Sequence, residues 1–221
     1  MGIVERKEKQ KMEIRKMILD ASMKLFVEEG FDHVSIRKIA DLIEYSPTTV
    51  YLYFKDKDEI FFHLHDMGFL KYQELNRNLD SIQNPLLRLH KMGENYINFG
   101  LDNPEYYDLM FIQREPMEKL TELGCDWDNG EAALTRLRDT VDECMEKGYI
   151  AKGDPIQVSL GVWSFVHGLV SLANRDRMDK LIQDKAMIRP ALLQSLNWLM
   201  NNIDISNKTP SGTQHRSPAD T

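Results

Sequence analysis

The sequence predicts an all-α protein built from a small N-terminal three-helix unit and a larger helical domain. Three observations carry that expectation. Apolar residues recur at intervals of three and four along most of the chain, the spacing of one buried helix face. Apolar–polar alternation is never sustained, and the single Asp128-Asn129-Gly130 precedes a helix-like segment instead of joining two β-rich runs. Pro, Asp or Asn stands at most of the expected helix starts.

The elements follow in order. Ile14, Ile18, Ala21 and Leu25 share one face of a first helix, which Gly30 stops. Ser35 is the N-cap of a second helix carrying Ile36, Ile39, Ala40 and Ile43. Glu44-Tyr45-Ser46 forms a turn, and Ser46-Pro47 opens a third helix, expected to reach Phe54, with Ser as cap and Pro at the first helical position. Asp56 or Asp58 caps a fourth helix expected to run to about Asp80. Five more helices are expected at 85–101, 104–123, 129–147, 155–174 and 185–202. The tail at 206–221 has no large apolar residue and is expected to be disordered. The expected domains are thus 1–57 and 58–205, followed by that tail.

Composition narrows the class. The chain has 221 residues, enough to bury a core without a metal or disulfide staple. Lys plus Arg is 28 and Asp plus Glu is 35, a net charge of −7, which on its own argues against a polyanion partner. Cys125 and Cys144 are too few for a disulfide framework or a zinc site and fit reduced thiols in the cytoplasm. The N-terminal MGIVERKEKQKMEIRK lacks the apolar core of a secretion signal. Residues 155–174 carry no charge over a membrane-spanning length. Six polar groups among them favour a helix buried inside protein on all sides, and no membrane partner is expected.

The three N-terminal helices have the dimensions of a helix-turn-helix, whose second helix of the pair lies in the DNA major groove. At about 100° per residue, Pro47, Val50 and Phe54 share the inward face, while Thr48, Thr49 and Leu52 point outward with Tyr51 and Tyr53 on the flanks. Hydroxyls reach base edges or phosphates, and Leu and Thr methyls touch thymine methyls. Packing of either tyrosine on neighbouring helices is the alternative. Charge is uneven: residues 1–57 carry 11 basic and 10 acidic groups, or +1, and the remainder 17 and 25, or −8. Residues 5–16 alone hold six basic against three acidic groups.

The run IRKIADLIEYSPTTVYLYFKDKDEIF at 36–61 resembles the signature of the tetracycline-repressor (TetR) family. That resemblance implies an all-helical homodimer, with a helix-turn-helix domain on a ligand-binding and dimerisation domain, and a palindromic double-stranded DNA operator as partner. It places DNA contacts on Ser35, Arg37, Ser46, Thr48, Thr49, Tyr51, Leu52 and Tyr53, with Lys55 or Lys57 near the backbone. Glu44 stands where many members have Gly. If the turn keeps its left-handed shape, Glu costs about 1 kcal/mol there; otherwise the turn differs.

Asn103–Phe111 and Val162–Leu169 resemble a TetR subgroup with a Trp, His-Gly motif in the C-terminal domain. A pocket for a small hydrophobic effector is expected from Phe62, Tyr96, Phe99, Tyr106, Met110, Phe111, Trp163 and His167, though each also suits plain core. A buried His167 needs a hydrogen-bond partner, which a neighbouring carbonyl could supply. Gly161, Ser164, Gly168 and Ser171 form a small-residue stripe for close helix approach, and Leu192, Leu196 and Leu199 belong to the last helix. Together they are the expected dimer interface, with one continuous intrachain core as the alternative. Catalysis is not expected, nor is any cofactor or metal. No phosphate loop is present, and His63 and His65 point about 160° apart on a helix. The competing reading is a helical ligand-binding protein without operator binding.

Overall fold

The computed structural model describes residues 2–124 and 126–206. Among these, ten α-helices are joined by turns and short 3-10 segments, with no strand. Cys125 and all of the expected tail except Ser206 lie outside the described residues.

The first four helices are α1 (Ile3–Glu29), α2 (Ile36–Leu42), α3 (Pro47–Tyr51) and α4 (Lys57–Leu75). Local chemistry sets their ends. Gly30 takes φ 84 after α1, and its N–H donates to the Phe26 carbonyl. Ser35 Oγ accepts from Lys38 N at 3.3 Å, and Ser46 Oγ from Thr49 N at 3.1 Å. Asp56, not Asp58, caps α4 by accepting from Glu59 N at 2.8 Å.

The turn between α2 and α3 keeps the left-handed shape. Glu44 has φ 60. Its N–H donates to Asp41 O at 3.3 Å and that of Tyr45 to Ala40 O at 3.0 Å, the paired bonds of a Schellman cap with glutamate in the glycine position. Helix α3 ends at Tyr51, earlier than the expected Phe54. Its last turn tightens, with Leu52 N donating to Thr49 O and Tyr53 N to Val50 O. Val50 and Phe54 are buried as expected, but Pro47 is exposed, because the short helix turns its first residue outward.

The first core gathers Ile18, Ile39, Ala40, Val50 and Phe54 with Ile60, Phe61 and Leu64 of α4. Phe61 meets Phe26 and Phe31 edge-on, with centroids 5.6 and 4.8 Å apart. Apolar packing therefore continues well past residue 57.

The larger part comprises α5 (Pro85–Asp102), α6 (Pro104–Phe111), α7 (Glu115–Leu123), α8 (Asp128–Glu146), α9 (Pro155–Asn174) and α10 (Ile188–Ile203). Three boundaries correct the sequence reading. Helix α4 stops at Leu75 because Asn76 caps it, its buried side chain donating to Tyr72 O and accepting from Asn95. The expected helix 104–123 is two helices, since Pro116 offers no N–H and its ring would meet the Ile112 carbonyl in a continuous helix. Residues 185–187 form a 3-10 turn before α10.

The fourth correction is the largest. Helix α9 is not buried on all sides: Ser159, Val166 and Val170 are buried, whereas Ile156, Leu160 and Leu172 are exposed. It is the one helix among the described residues long and apolar enough to cross a membrane by length and composition. Leu192 and Leu196 of the expected interface lie instead in the intrachain core with Val166, Val170 and Ile97, and Leu199 is half-buried. Cys144 is also in that core, and burial pushes its thiol up to about 12.

The Glu44 cap yields a direct expectation. Glu44→Gly removes left-handed strain and returns part of the gain as unfolded-state entropy. The urea midpoint should rise by a stability increment of about 0.5–1 kcal/mol. A fall would show that the glutamate side chain itself supports the turn.

Candidate functional site

Two places carry chemistry: the outer face of α2 and α3, and a cavity inside the larger domain. On the first, Thr48, Tyr51 and Leu52 stand side by side, with Tyr51 57% and Leu52 76% exposed. Leu52, at the C-terminal end of the five-residue α3, leaves an apolar side chain outside the intrachain core. Thr49 is half-buried and its hydroxyl is held 3.0 Å from Ser46 Oγ, so it is less free than the helical wheel indicates. Tyr53 packs partly against the first core, with only part of the ring outward. Ser35 and Arg37 are exposed at the start of α2.

The lysines divide. Lys55 is exposed, with its Nζ 3.5 Å from Glu122. Lys57 turns back onto its own domain, 3.3 Å from Phe31 O and 4.4 Å above the Phe31 ring, so it is not the free phosphate contact expected. Lys38 is bound to Glu29 and His33 O. Residues 4–13 of α1 are exposed throughout and carry four basic groups, Arg6, Lys7, Lys9 and Lys11.

The cavity has a volume of about 260 Å³ and lies among α4, α5, α6, α8 and α9. Of the eight residues expected to line it, Tyr96, Phe111 and Trp163 do. The other five sit elsewhere for identifiable reasons. Phe62 is on the far side of α4, stacked on His65. Phe99 is closed off in a cluster with Phe69 and Met110, and Met110 presses on Gly68. Tyr106 is half-buried against that same cluster, beneath Lys71. His167 sits behind the wall, its Nδ1 2.9 Å from the Tyr96 hydroxyl and 3.0 Å from that of Tyr107. Tyr107 also donates to the His167 carbonyl at 3.0 Å. So two phenols satisfy the ring, and His167 orients Tyr96. Burial pushes its pKa down, with Arg175 adding to the effect.

Sequence reasoning missed Phe69, Tyr72, Met92, Trp127, Val162 and Val166, which also line the cavity. One signal was present. Gly130 stands inside α8 at a helical cost of about 1 kcal/mol, and a Cβ there would lie 1.9 Å from Trp127 Cε2. The glycine marks where the indole lies. His65 of α4 is buried between aromatic rings, and burial pushes it down to about 4. His63 points elsewhere, beside Glu59.

Helix α6 ties these places together, and α7 braces the end of the first unit. On α6, Leu109 enters the first core while Phe111, two residues on, lines the cavity. On α7, Lys119 is almost fully buried and its Nζ lies 2.8 Å from Asp56 Oδ2 and 3.0 Å from Glu122. The Asp56 hydrogen bond raises the Lys119 pKa despite burial. On Asp56, burial pushes upward but is outweighed by hydrogen bonds from Lys119 and the Glu59 backbone, so its pKa is lowered. A lowered carboxylate stabilises the fold above its unfolded pKa and loses that contribution as pH falls through the folded value. Lys119→Met should therefore cost about 1–3 kcal/mol at pH 7, between an exposed and a buried pair. Thermal unfolding should also show the mutant's deficit shrinking below about pH 4. A deficit that is constant with pH would assign the loss to packing alone.

Comparison with known proteins agrees with this layout. Residues 18–64 match the family model for bacterial regulatory proteins of the tetR family. Residues 89–196 match the tetracyclin repressor-like C-terminal domain. The HTH-type transcriptional regulator YobS of Bacillus subtilis (strain 168) is 22% identical over 194 residues, 88% of this chain and 94% of that relative. The fatty acid degradation regulator FadR from Bacillus halodurans has the same fold at TM-score 0.64, with 19% identity over 82% of this chain and 93% of that one. The ketosteroid transcriptional regulator KstR2 of Mycobacterium tuberculosis gives TM-score 0.63 at 17% identity, over 86% and 94%. The first match covers the helix-turn-helix and the second the cavity-bearing domain, and the chain belongs to the TetR family of DNA-binding transcriptional regulators.

Proposed function

We propose that this protein is a cytoplasmic homodimeric repressor, released from a palindromic operator when a small, largely hydrophobic molecule enters the cavity. The observation that carries the reading is α6, which places Leu109 in the core of the DNA-binding unit and Phe111 on the cavity wall. A ligand that favours one position of α6 over another shifts the equilibrium between DNA-competent and released forms by that difference. The coupling is typically ~1–3 kcal/mol.

DNA contacts are assigned to Ser35, Arg37, Ser46, Thr48, Tyr51 and Leu52, with lesser parts for Thr49 and Tyr53 and a phosphate contact for Lys55. The exposed basic start of α1 adds backbone attraction. Half-sites would lie about 34 Å apart or a multiple of it.

The dimer surface is assigned to the outer side of α9 with α10. Ile156, Leu160, Leu172 and Trp198 are exposed there, Trp198 by 63%. Gly161 and Ser164 sit on that exposed side, and a Cβ added at Gly161 or Gly168 meets open space within the chain. A second subunit accounts for an apolar helix face that one chain leaves bare.

Gel-shift binding to the DNA upstream of the protein's own gene tests the reading. Wild type should bind with salt-sensitive, sequence-specific affinity, and Tyr51→Ala should weaken it about tenfold or more. Ligand binding without operator binding would favour the helical binding protein instead. In sedimentation, Leu160→Glu should shift a dimer toward monomer; an unchanged dimer would place the interface elsewhere.

A further inference from the structure

We infer that the cavity takes an uncharged, mainly apolar molecule with one hydrogen-bond acceptor, and that Trp127 Nε1 donates to that acceptor. This rests on the ligand reading above and narrows it to a chemical class. The walls come first. All fifteen lining residues are uncharged, from Phe69 and Leu89 to Val162 and Val166. A carboxylate or ammonium placed there would lose its water and find no counter-ion on the walls.

The polar atoms on the walls come next. The Tyr96 hydroxyl is hydrogen-bonded with His167 Nδ1 at 2.9 Å and is already engaged. Trp127 differs. Its Nε1 is buried and has no hydrogen-bond partner among the described residues. A buried N–H left unpaired is costly and rare in native proteins, so an acceptor is missing. The indole that carries it lines the cavity and is held firmly. It meets Phe69 edge-on at 5.5 Å, and it packs so close to Gly130 that a Cβ there would lie 2.4 Å from Nε1. Indole N–H is a donor only, so the ligand must supply a carbonyl, ether or similar oxygen, or an unprotonated nitrogen.

Volume sets the size. An apolar cavity of ~150 Å³ holds benzene. The 260 Å³ here suits a molecule of roughly ten to a dozen non-hydrogen atoms.

Three probes of matched shape test this by isothermal titration calorimetry on the full chain: 4-phenyl-2-butanone, butylbenzene and 4-phenylbutanoate. Wild type should bind the ketone and the hydrocarbon, and the carboxylate at least ~100-fold more weakly than the ketone at pH 7. Trp127→Phe keeps an aromatic ring and removes the donor. It should weaken the ketone by about five- to tenfold while leaving butylbenzene within about twofold, which also reports that the variant is folded. The inference is overturned if the carboxylate matches the ketone, if Trp127→Phe weakens both neutral probes alike or neither, or if wild type does not bind the ketone. DNA release, read separately by gel shift, keeps the two readings apart. A ketone that binds as stated but leaves operator binding unchanged counts against ligand-driven release and not against the recognition chemistry.

Discussion

Helix α4 is shared by two cores, and most of the structure depends on that sharing. Its first half sends Ile60, Phe61 and Leu64 into the core beneath the recognition helix. Its second half sends Phe69 and Tyr72 to the cavity wall. Between them Gly68 lets α6 approach so closely that a Cβ would fall 2.6 Å from Met110 Sδ. Close-packed interiors do not deform smoothly; they shift between discrete arrangements. A change in the cavity that moves α6 must therefore be taken up by α4, and with it by the base of the DNA-binding unit.

The ion pairs around Asp56 add a second tie at the same junction. Asp56 caps α4 and receives Lys119 from α7, while Glu122 of α7 reaches Lys55 just after the recognition helix. One carboxylate thus satisfies a helix N-terminus and a buried ammonium together, which holds α7 against the end of the helix-turn-helix. The same placement moderates Lys55 and shows why a count of basic residues overstates the cation free for phosphate. Lys57 and Lys38 are likewise engaged within their own unit. The net charge of −7 then reads as a near-neutral head on an acidic body. For a DNA-binding regulator this charge balance suppresses nonspecific attraction.

The two halves of the protein differ in how far local rules reach. In the N-terminal unit, the starts of α2, α3 and α4 are written in caps that bond within three residues, at Ser35, Ser46 and Asp56. The left-handed turn at Glu44 survives a residue that disfavours it, because Ala40 and Asp41 carbonyls are both satisfied there. In the larger domain the distribution of burial around each helix follows from neighbours distant in sequence. Leu192 and Leu196 belong to the expected interface, yet both lie in the intrachain core, with Leu196 packed against Gly93. Helix α9 reads as buried on all sides, yet one side of it is left to solvent within one chain.

The sequence by itself determined the helical class, the caps, the helix-turn-helix and the family. The first three rest on spacing along one helix or on bonds between near neighbours, and the family on the resemblance carried by residues 36–61. It did not determine which aromatic residues enclose the cavity. Tyr96, Phe111 and Trp163 could be named from their helices, but Trp127 could not, because its place depends on Gly130 giving way and on Phe69 arriving from α4. Only the tertiary structure brings five helices to one space and leaves a single indole N–H there without a partner among the described residues. The physical reason is that burial belongs to the assembly of helices, whereas periodicity belongs to each helix alone.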